Sequence, residues 1–428
     1  MITEILDVLS LGLAFLMIAY LVRHYVFTLT VLKNGQTRKK SMTSEGSTYK
    51  PSVSILIPAH NEEHVISRIL QRMNTLTYPR DLLQVVVVDD ASTDNTGKIA
   101  EQYSKTQNNI EVMHRSTQEG GRGKAHALND GLKHTKGEII ICFDADYYPQ
   151  EDIVEKLVRF FVDPEVGAVQ GRVIVLNEPQ NLVTRLVTLE RIGGYCVDQQ
   201  ARDSLGLIPQ FGGTVGAIRR SLLESLGGWT ESALAEDTDL TFRFYLAGYK
   251  IRYLNDAESY EEAVETWQAY WRQRYRWARG HMQCAFKYSL KVLCSSNLNL
   301  KQKIDGLLLL GVYFMPILTL LSCVVFASLL FLNPPQWWLK MLWTLVPVPA
   351  YGFVGNFAPF FEVGIGAYLD GRIRAHRLIS LLIFPFILNI FICTKALADL
   401  TISTISGKNK SHWAKTTHSG NGNSYIMN

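Results

Sequence analysis

Short apolar runs alternate with amphipathic stretches through the middle of the chain, from about residue 51 to residue 260. Apolar runs rich in β-branched residues predict buried strands, and apolar residues repeated at helical spacing predict helices between them. The predicted strands are Val53–Ile57, Gln84–Asp89, Ile110–His114, Glu138–Phe143 and Gly167–Gln170, and the clearest helices are Asn61–Met73 and Thr96–Tyr103. This order predicts an α/β fold, a mostly parallel sheet with helices on both faces, in which ligands bind beyond the carboxyl ends of the strands.

The N-terminal segment is apolar without an amphipathic pattern. Residues Ile5–Leu32 are long enough to cross a bilayer, which takes about 20 residues. The start carries Glu4 and Asp7 instead of basic residues, and no small-residue cleavage site follows, so we expect an uncleaved anchor instead of a signal peptide. The basic flank from Lys33 to Lys40 then predicts, by the positive-inside rule, that the following domain lies on the cytosolic side of the cell membrane.

The C-terminal third contains three more apolar blocks, Leu307–Leu332, Trp338–Phe361 and Leu378–Ile402. The first two predict membrane crossings, so the protein is expected to be multi-pass. The third block includes Pro385 and Lys395, and part of it is therefore expected to lie along the interface. The predicted organisation is an anchor (1–32), a linker (33–50), a cytosolic α/β domain (51–262), interfacial helices (263–303), a transmembrane region (304–406) and a polar tail (407–428).

Charge and cysteine usage narrow the classes of function. The net charge is only +4 and no dense basic stripe is present, so the sequence gives no indication of a nucleic-acid partner. The six cysteines are scattered without metal-ligand spacing. They are typical of buried thiols in a reduced compartment, not of a disulfide framework or a zinc site.

Acidic residues directly follow two of the apolar strands. Asp89 and Asp90 end one strand, where they could accept hydrogen bonds from a nucleoside, although a turn and a helix N-cap is the alternative interpretation. Asp144 and Asp146 end another strand, and two carboxylates that converge at a bend suit Mg²⁺ or Mn²⁺ bridging a diphosphate. A DxD sequence alone is common by chance, but its position after a buried strand strengthens the prediction.

Three other charged segments are candidates, each with a simpler alternative. Gly120–Lys124 opens a helix with glycines beside Arg and Lys, which could hold phosphate or could be only a flexible loop. Ala235–Leu240 is an acidic run that opens an amphipathic helix, where capping is the alternative. Gln273–Trp277 lies within a helix predicted over Thr266–Phe286, whose basic and aromatic residues could instead contact lipid head groups.

In this order the segments resemble the motifs of glycosyltransferase family 2, in particular the membrane-bound branch of cellulose, hyaluronan, chitin-oligosaccharide and poly-N-acetylglucosamine synthases. The resemblance runs from about Pro51 to Gly280, and the flanking membrane segments also fit. It is carried by Asp89-Asp90, Asp144-Ala145-Asp146, Glu236-Asp237 and Gln273-Arg274-Tyr275-Arg276-Trp277, the last of which matches the QxxRW signature of the branch. The resemblance implies a GT-A-like fold.

The resemblance also implies a role for each matching residue. Asp237 would be the catalytic base, and Asp146 the more direct of two metal ligands. The implied donor-binding residues are Asp89, Asp90, Lys124, Asp144 and Arg276; the implied metal ligands are Asp146 and Asp144, with Mg²⁺ or Mn²⁺; the implied acceptor-binding residues are Gly213, Thr214, Gln273 and Trp277. One departure is Ala235, because the acidic motif usually begins with Thr.

The implied function is a membrane glycosyltransferase that uses UDP-N-acetylglucosamine or UDP-glucose to extend a β-linked polysaccharide, coupled to export. One base, one metal and no obvious protein nucleophile favour direct displacement with inversion. A single-addition transferase that makes a glycolipid is the alternative, and a scaffold or nucleotide sensor is a third, which the intact motif carboxylates disfavour. The implied partners are a UDP-sugar, a glycan or glycolipid acceptor, membrane lipids, and accessory export or modification proteins.

The polar tail raises a question of topology. If every apolar block crosses the membrane, the C-terminus lies outside. However, the basic residues from Arg372 to Arg377 favour the cytosolic side, and Trp413–His418 resembles a loop that closes over the donor in cellulose synthases. We therefore predict a cytosolic C-terminus, which requires Leu378–Ile402 to re-enter the membrane or to lie in the interface.

Overall fold

A mixed eight-stranded sheet forms the centre of the middle domain in the computed structural model, which describes residues 2–35, 49–332, 347–407 and 420. In space the strands follow the order β3-β2-β1-β4-β7-β6-β8-β5. Their bounds are β1 Val53–Ala59, β2 Leu83–Asp89, β3 Ile110–His114, β4 Ile139–Cys142, β5 Tyr148–Pro149, β6 Val166–Val175, β7 Gly216–Arg219 and β8 Lys250–Glu261. Strands β3, β2, β1 and β4 pair in parallel, as do β6 and β8, whereas β7 and β5 are antiparallel to their partners.

All five predicted strands are present, and the mostly parallel sheet is confirmed. Sequence reasoning missed β5, β7 and β8. Strands β5 and β7 have only two and four residues, too few for a periodic pattern. Strand β8 carries polar and acidic residues in its second half, so it lacks the apolar run that marks the other long strands.

Fourteen α-helices surround the sheet or form the two ends of the described chain. Their bounds are α1 Ile2–Gly35, α2 Ile66–Met73, α3 Thr96–Thr106, α4 Lys124–Leu132, α5 Ile153–Val158, α6 Leu182–Ile192, α7 Gln200–Leu205, α8 Arg220–Ser225, α9 Glu236–Leu246, α10 Trp267–Cys294, α11 Leu300–Gly311, α12 Met315–Leu332, α13 Pro347–Leu369 and α14 Ile383–Ser406. A wide π-helical turn, Gly193–Gln199, joins α6 to α7 without a break. Helix α2 begins five residues later than predicted, since Asn61 has a φ of 53°, which a right-handed helix does not allow.

Alternate residues of the central strands enter two separate apolar layers. Ile55 and Val87 belong to the layer on one face of the sheet, whereas Leu56 and Val88 belong to the layer on the other face. These side chains are fully buried, and each contributes about 1.5–3 kcal/mol relative to an exposed position. Burial on both faces explains why the sequences of these strands are continuous apolar runs. The polar residues follow directly after the buried strands, at the strand ends.

Three helical segments of the described chain are long and apolar enough to cross a membrane, Ile2–Asn34, Leu300–Leu329 and Ala375–Ser406. They associate the chain with a membrane. The predicted block Trp338–Phe361 lies partly outside the described residues, and from Pro347 onward it is helical in α13.

Helix α14 lies beside α10, the helix that carries the Gln273–Trp277 segment. The amide of Asn389 donates to Tyr270 Oη at 3.2 Å, Tyr275 Oη donates to Asp399 Oδ2 at 2.5 Å, and Arg279 donates to Ser403 Oγ at 3.3 Å. The partners increase in number together, so the two helices run in the same direction. The expectation that part of the last apolar block lies along the interface stays a prediction.

The end of the chain is described at one residue only. The backbone N–H of Gly420 donates to Glu262 Oε2 at 3.2 Å, at the edge of the α/β domain. The predicted donor-closing segment Trp413–His418 lies outside the described residues. The cytosolic position of the C-terminus stays a prediction.

Candidate active site

A cavity of about 610 Å³ opens beyond the carboxyl ends of β1, β2 and β4. Strand ends contribute His60, Asp90 and Asp144 to its wall, as the sequence predicts for a sheet of this kind. The opposite wall comes from α9 and α10, and the wall continues to α1, α12 and α14 at the membrane helices. One cavity therefore joins the strand ends to the apolar helices.

The two carboxylates at the end of β2 are placed differently. Asp90 lines the cavity and forms a buried ion pair with Arg115. Asp89 does not line it, because its Oδ2 lies 2.8 Å from Nδ1 of His114 and its Oδ1 accepts the N–H of Ser92 at 3.2 Å. The geometry thus supports Asp90 as a donor-binding candidate and gives Asp89 a role in holding the turn.

Lys124 connects the glycine-rich loop to the acidic strand end. Its Nζ lies 2.5 Å from Oδ1 of Asp144 and donates to the carbonyl of Gly213 at 2.9 Å. Burial acts to lower the pKa of Lys124, but the charges of Asp144 and Glu236 outweigh it, and the pKa is raised. The N–H of Asp144 also donates to Oγ1 of Thr214 at 3.1 Å. These contacts bring three separately predicted segments together.

Gly213 occupies a position where any other residue would be strained. Its φ is 74°, and a Cβ there would lie 3.2 Å from Cβ of Asp237 and 3.6 Å from Nζ of Lys124. The positive φ and the close approach both favour glycine. Gly213 thus supports the candidate base, while its neighbours Gly212 and Thr214 line the cavity.

Asp144 and Asp146 both line the cavity, and the side chain of Asp146 is buried. Among the residues that the structure describes, no group of three His, Cys, Asp or Glu side chains could hold a metal by itself. Ten carboxylates and six Lys or Arg side chains line the cavity, so its wall is acidic. The two aspartates fit a hard divalent cation that takes further ligands from phosphate oxygens and water.

The acidic helix start places Asp237 at the cavity and turns Asp239 away from it. Asp237 Oδ1 accepts the N–H of Thr238 at 2.6 Å. Burial, together with the charge of Asp237, raises the pKa of Glu236 to about 7. Asp239 instead accepts hydrogen bonds from Tyr288 at 2.7 Å and from Lys287 at 2.5 Å, so it fixes α9 against α10.

Gln273, Arg276 and Trp277 line the cavity on one face of α10. Arg276 lines the cavity and its buried Nε has no hydrogen-bond partner within the described part of the chain, which makes its guanidinium a candidate to bind a ligand. Two guanidinium groups lie close to the ring of Trp277, whose centroid is 4.4 Å from Cζ of Arg274 and 5.2 Å from Cζ of Arg191. These cation–π contacts help to hold the indole in place.

Several cavity residues carry no motif and were missed. His281 lies against Thr238, the residue that follows Asp237, with Nε2 3.3 Å from Oγ1 of Thr238, and burial lowers the pKa of His281. Arg191 lies on α6, whose sequence contains no recognisable motif. Its Nε lies 2.6 Å from Oε1 of Glu261. Arg23 does leave a signal, because it is an ionisable residue within an apolar span. The prediction that the N-terminal segment is a membrane anchor gives Arg23 no role.

Residues 51–280 match the family described as glycosyltransferase like family 2. The match covers more than half of the chain, and the chain therefore belongs to this family. The candidate donor, base and acceptor residues at the cavity fall within the matched range, whereas the membrane helices fall outside it.

Two curated relatives illustrate the similarity. The chain is 43% identical over 239 residues to the probable glycosyltransferase YdaM of Bacillus subtilis, a region that covers 56% of this chain and 57% of YdaM. It is 36% identical over 266 residues to the β-monoglucosyldiacylglycerol synthase of Synechocystis sp., covering 62% of this chain and 55% of that protein. The chain thus spans little more than half the length of these relatives.

A solved structure shares the fold. The mannosyltransferase PcManGT from Pyrobaculum calidifontis, in complex with GDP-Man and Mn²⁺, superposes with a TM-score of 0.55 and 24% identity over 85% of this chain and 99% of that chain. This similarity confirms the GT-A-like architecture that the sequence motifs imply.

Proposed function

We propose that this chain is an inverting glycosyltransferase that adds a single hexose from a UDP-sugar to a hydroxyl group of a membrane lipid. The observation that carries the proposal is the continuous cavity, which joins the strand-end carboxylates to Tyr313, Pro316 and Asn389 on the apolar helices. An acceptor held in the bilayer could reach Asp237 through it. The name of the Synechocystis relative, a glycolipid synthase, supports a glucose donor and a lipid acceptor.

The donor would bind at the end of the cavity that carries Asp90, Asp144 and Asp146. A divalent cation bound there supplies positive charge to the departing diphosphate. Arg276, whose Nε has no partner among the described residues, would add a second positive group at the same place. Preorganised charge of this kind is typically worth several kcal/mol in transition-state stabilisation.

Asp237 would accept the proton of the attacking hydroxyl. The carboxylate lines the cavity at the start of α9, beside Gly213 and Thr238, so its position is fixed before the acceptor arrives. General-base catalysis contributes about 10²–10⁴ in rate. With one base and no nucleophile in the proposed scheme, the hydroxyl attacks the anomeric carbon directly and an α-linked donor gives a β-linked product.

Extension of a β-linked polysaccharide, with export, is the second candidate. The Gln273–Trp277 segment favours it, because this element resembles the QxxRW signature of processive synthases and its indole is held by two guanidinium groups. The first candidate is preferred, since the glycolipid synthases among the relatives are 36–40% identical to this chain, whereas a probable glucomannan 4-β-mannosyltransferase of Arabidopsis thaliana, which favours the second, is 30% identical.

The two candidates differ in the size of the product. The purified protein in phosphatidylcholine nanodiscs would receive radiolabelled UDP-glucose, Mn²⁺ and a bacterial lipid extract. We expect label in a single organic-soluble product, lost in the Asp237→Asn variant. Water-soluble label of high molecular mass would contradict the proposal and support polysaccharide extension.

A further inference from the structure

A second polar cluster lies at the membrane end of the cavity. It consists of Arg23 of α1, Asp198 of the wide turn, Arg202 of α7 and Asp305 of α11, and we call it the Arg23 cluster. The side chains of Arg23, Arg202 and Asp305 are 5%, 1% and 6% exposed. Arg23, Asp198 and Arg202 line the same cavity as Asp237. The cluster is therefore a largely buried polar site beside the apolar helices.

The charges within the cluster balance. Asp198 pairs with both arginines, accepting from Nε of Arg202 at 2.5 Å and from Arg23. Asp305 pairs with Arg202 and also accepts the N–H of Ile208 at 3.4 Å. Two arginines face two aspartates, so the cluster offers no excess positive charge to a phosphate group. The neighbouring pair of His24 and Glu362 adds no separate cation, because the two contact each other.

Three buried atoms of the cluster have no hydrogen-bond partner among the described residues, namely Arg23 Nε, Arg202 Nη2 and Asp305 Oδ1. Arg23 Nε and Asp305 Oδ1 lie 3.8 Å apart, which is too long for a direct hydrogen bond. Buried polar groups are normally satisfied, so orphan groups call for an explanation such as an ordered water or a ligand. Arg23 and Arg202 line the cavity, whereas Asp305 is not among the residues that line it. The set contains two donors and one acceptor. A hydroxyl group can satisfy both kinds, whereas an ionised phosphate oxygen can only accept.

A chain of hydrogen bonds connects this cluster to the proposed base. Gln210 Nε2 donates to Oγ1 of Thr238 at 2.8 Å, and Gln199 Nε2 donates to the carbonyl of Gln210 at 2.7 Å. Gln199 is the neighbour of Asp198 in the wide turn, and both glutamines line the cavity. The polar wall therefore runs from Asp237 to the Arg23 cluster, along the path that an acceptor head group would take.

We propose that the Arg23 cluster is an acceptor subsite that binds the uncharged, hydroxyl-bearing head group of a lipid and discriminates against lipids that end in a phosphate. The inference rests on the proposed function, since it names the class of acceptor. Ester carbonyls and hydroxyl oxygens of the head group accept from Arg23 and Arg202, and a hydroxyl hydrogen is donated to Asp198, the carboxylate of the cluster that lines the cavity.

Ligand binding to the intact wild-type protein tests the subsite without turnover. The thermal midpoint of the protein in phosphatidylcholine nanodiscs would be measured with dodecylglycerol and with dodecyl phosphate, two ligands of equal chain length. A ligand that binds only the folded state raises the midpoint. We expect stabilisation by dodecylglycerol and little by dodecyl phosphate. Equal or greater stabilisation by dodecyl phosphate would overturn the proposal.

Two variants connect this discrimination to the cluster. Arg23→Gln should raise the acceptor KM by about tenfold and leave the UDP-glucose KM unchanged, because a charged hydrogen-bond donor is lost only at the acceptor. Asp305→Asn leaves a net positive charge, and it should increase the rate with a phosphate-ended lipid relative to an uncharged one.

Tyr20→Phe is the matched control for packing. It removes the hydrogen bond from Tyr20 Oη to the carbonyl of Leu308, also between α1 and α11, but Tyr20 does not line the cavity. If Tyr20→Phe changes the acceptor KM as much as Arg23→Gln, the cluster has only a structural role. If dodecylglycerol stabilises the wild type but the protein glycosylates no lipid, the proposed function fails while the subsite stands. If the protein glycosylates phosphate-ended lipids as well as uncharged ones, the subsite fails while the proposed function stands.

Discussion

The donor end of the cavity is assembled from the ends of neighbouring strands, whereas the membrane end is assembled from helices far apart along the chain. At the donor end, Asp90 and Asp144 follow parallel strands, so the sheet itself brings them together. At the membrane end, Arg23 reaches Asp198 across 175 positions and Arg202 reaches Asp305 across 103. The first end depends on backbone hydrogen bonds and the second on side-chain pairs.

This difference indicates how each end tolerates change. The donor end is anchored by fully buried strands, so its geometry should survive the loss of a single side chain. At the membrane end the side chains themselves join α1 to the α/β domain, and replacing one alters both recognition and packing. Changes at the donor end should therefore affect chemistry, and changes at the membrane end should affect the choice of acceptor.

The largest expected effect is at the proposed base. Asp237→Asn should lower turnover by about 10²–10⁴ with little change in UDP affinity, because the amide keeps the shape of the side chain but cannot take the proton. Turnover would be followed with radiolabelled donor, and UDP affinity by calorimetry. Near-wild-type turnover would remove Asp237 from this role.

A smaller effect is expected at the proposed metal site. Asp146→Asn should weaken UDP binding in the presence of Mn²⁺ by tenfold or more, since one hard oxygen ligand is lost. Asp152→Asn, which changes an exposed carboxylate, is the matched control. If the wild type binds UDP equally well with Mn²⁺ and with EDTA, the metal proposal does not hold.

Substitution of Trp277 should show whether this residue acts at the donor end or at the membrane end of the cavity. Trp277→Ala should raise the acceptor KM by about tenfold, or ~1.4 kcal/mol, because the indole presents a flat apolar face to the acceptor. The donor KM should change less, and Trp277→Phe should restore part of the loss. An equal loss of donor affinity would place Trp277 at the donor end.

The smallest effect concerns Glu236 and the dependence of stability on pH. Its pKa is raised from 4.5 to about 7 in the folded protein, so the folded state holds a proton that the unfolded chain releases. Stability from this group is complete below pH 4.5 and decreases as the pH rises to about 7. Thermal midpoints between pH 5 and pH 7.5, without donor or metal, should fall less steeply in Glu236→Gln than in the wild type. Glu224→Gln, at an exposed position, should retain the wild-type slope.

The parts of the molecule that could be predicted from sequence are those fixed by local pattern. The strands that carry Asp90, Asp144 and Asp146 are continuous apolar runs, and the rule that ligands bind beyond strand ends gives the site. The side chain of Asp89 could not be placed, because its partner His114 lies on another strand. Strand β8 was missed for a related reason, since its acidic residues pair with basic ones from helices, as Glu261 does with Arg191.

The Arg23 cluster at the membrane end of the cavity could not be predicted from the sequence, for a physical reason. Arg23 stands within an apolar helix, and its effect depends on which buried carboxylates the fold brings to it. Such pairs form only when α1 docks against the wide turn and α11. A single sequence shows the charge but not its partner.

The wide turn at Gly193–Gln199 should make the proposed acceptor selection sensitive to chain length. A π-helical turn holds more residues than an α-helical one, and each residue of an α-helix advances the next by about 100°. Deleting one residue there would leave α6 in place but swing α7 around its axis, carrying Arg202 away from Asp305. A relative with a shorter segment would then present another face of α7 to the incoming lipid, so an insertion or deletion, without any substitution, could redirect this enzyme to a different acceptor.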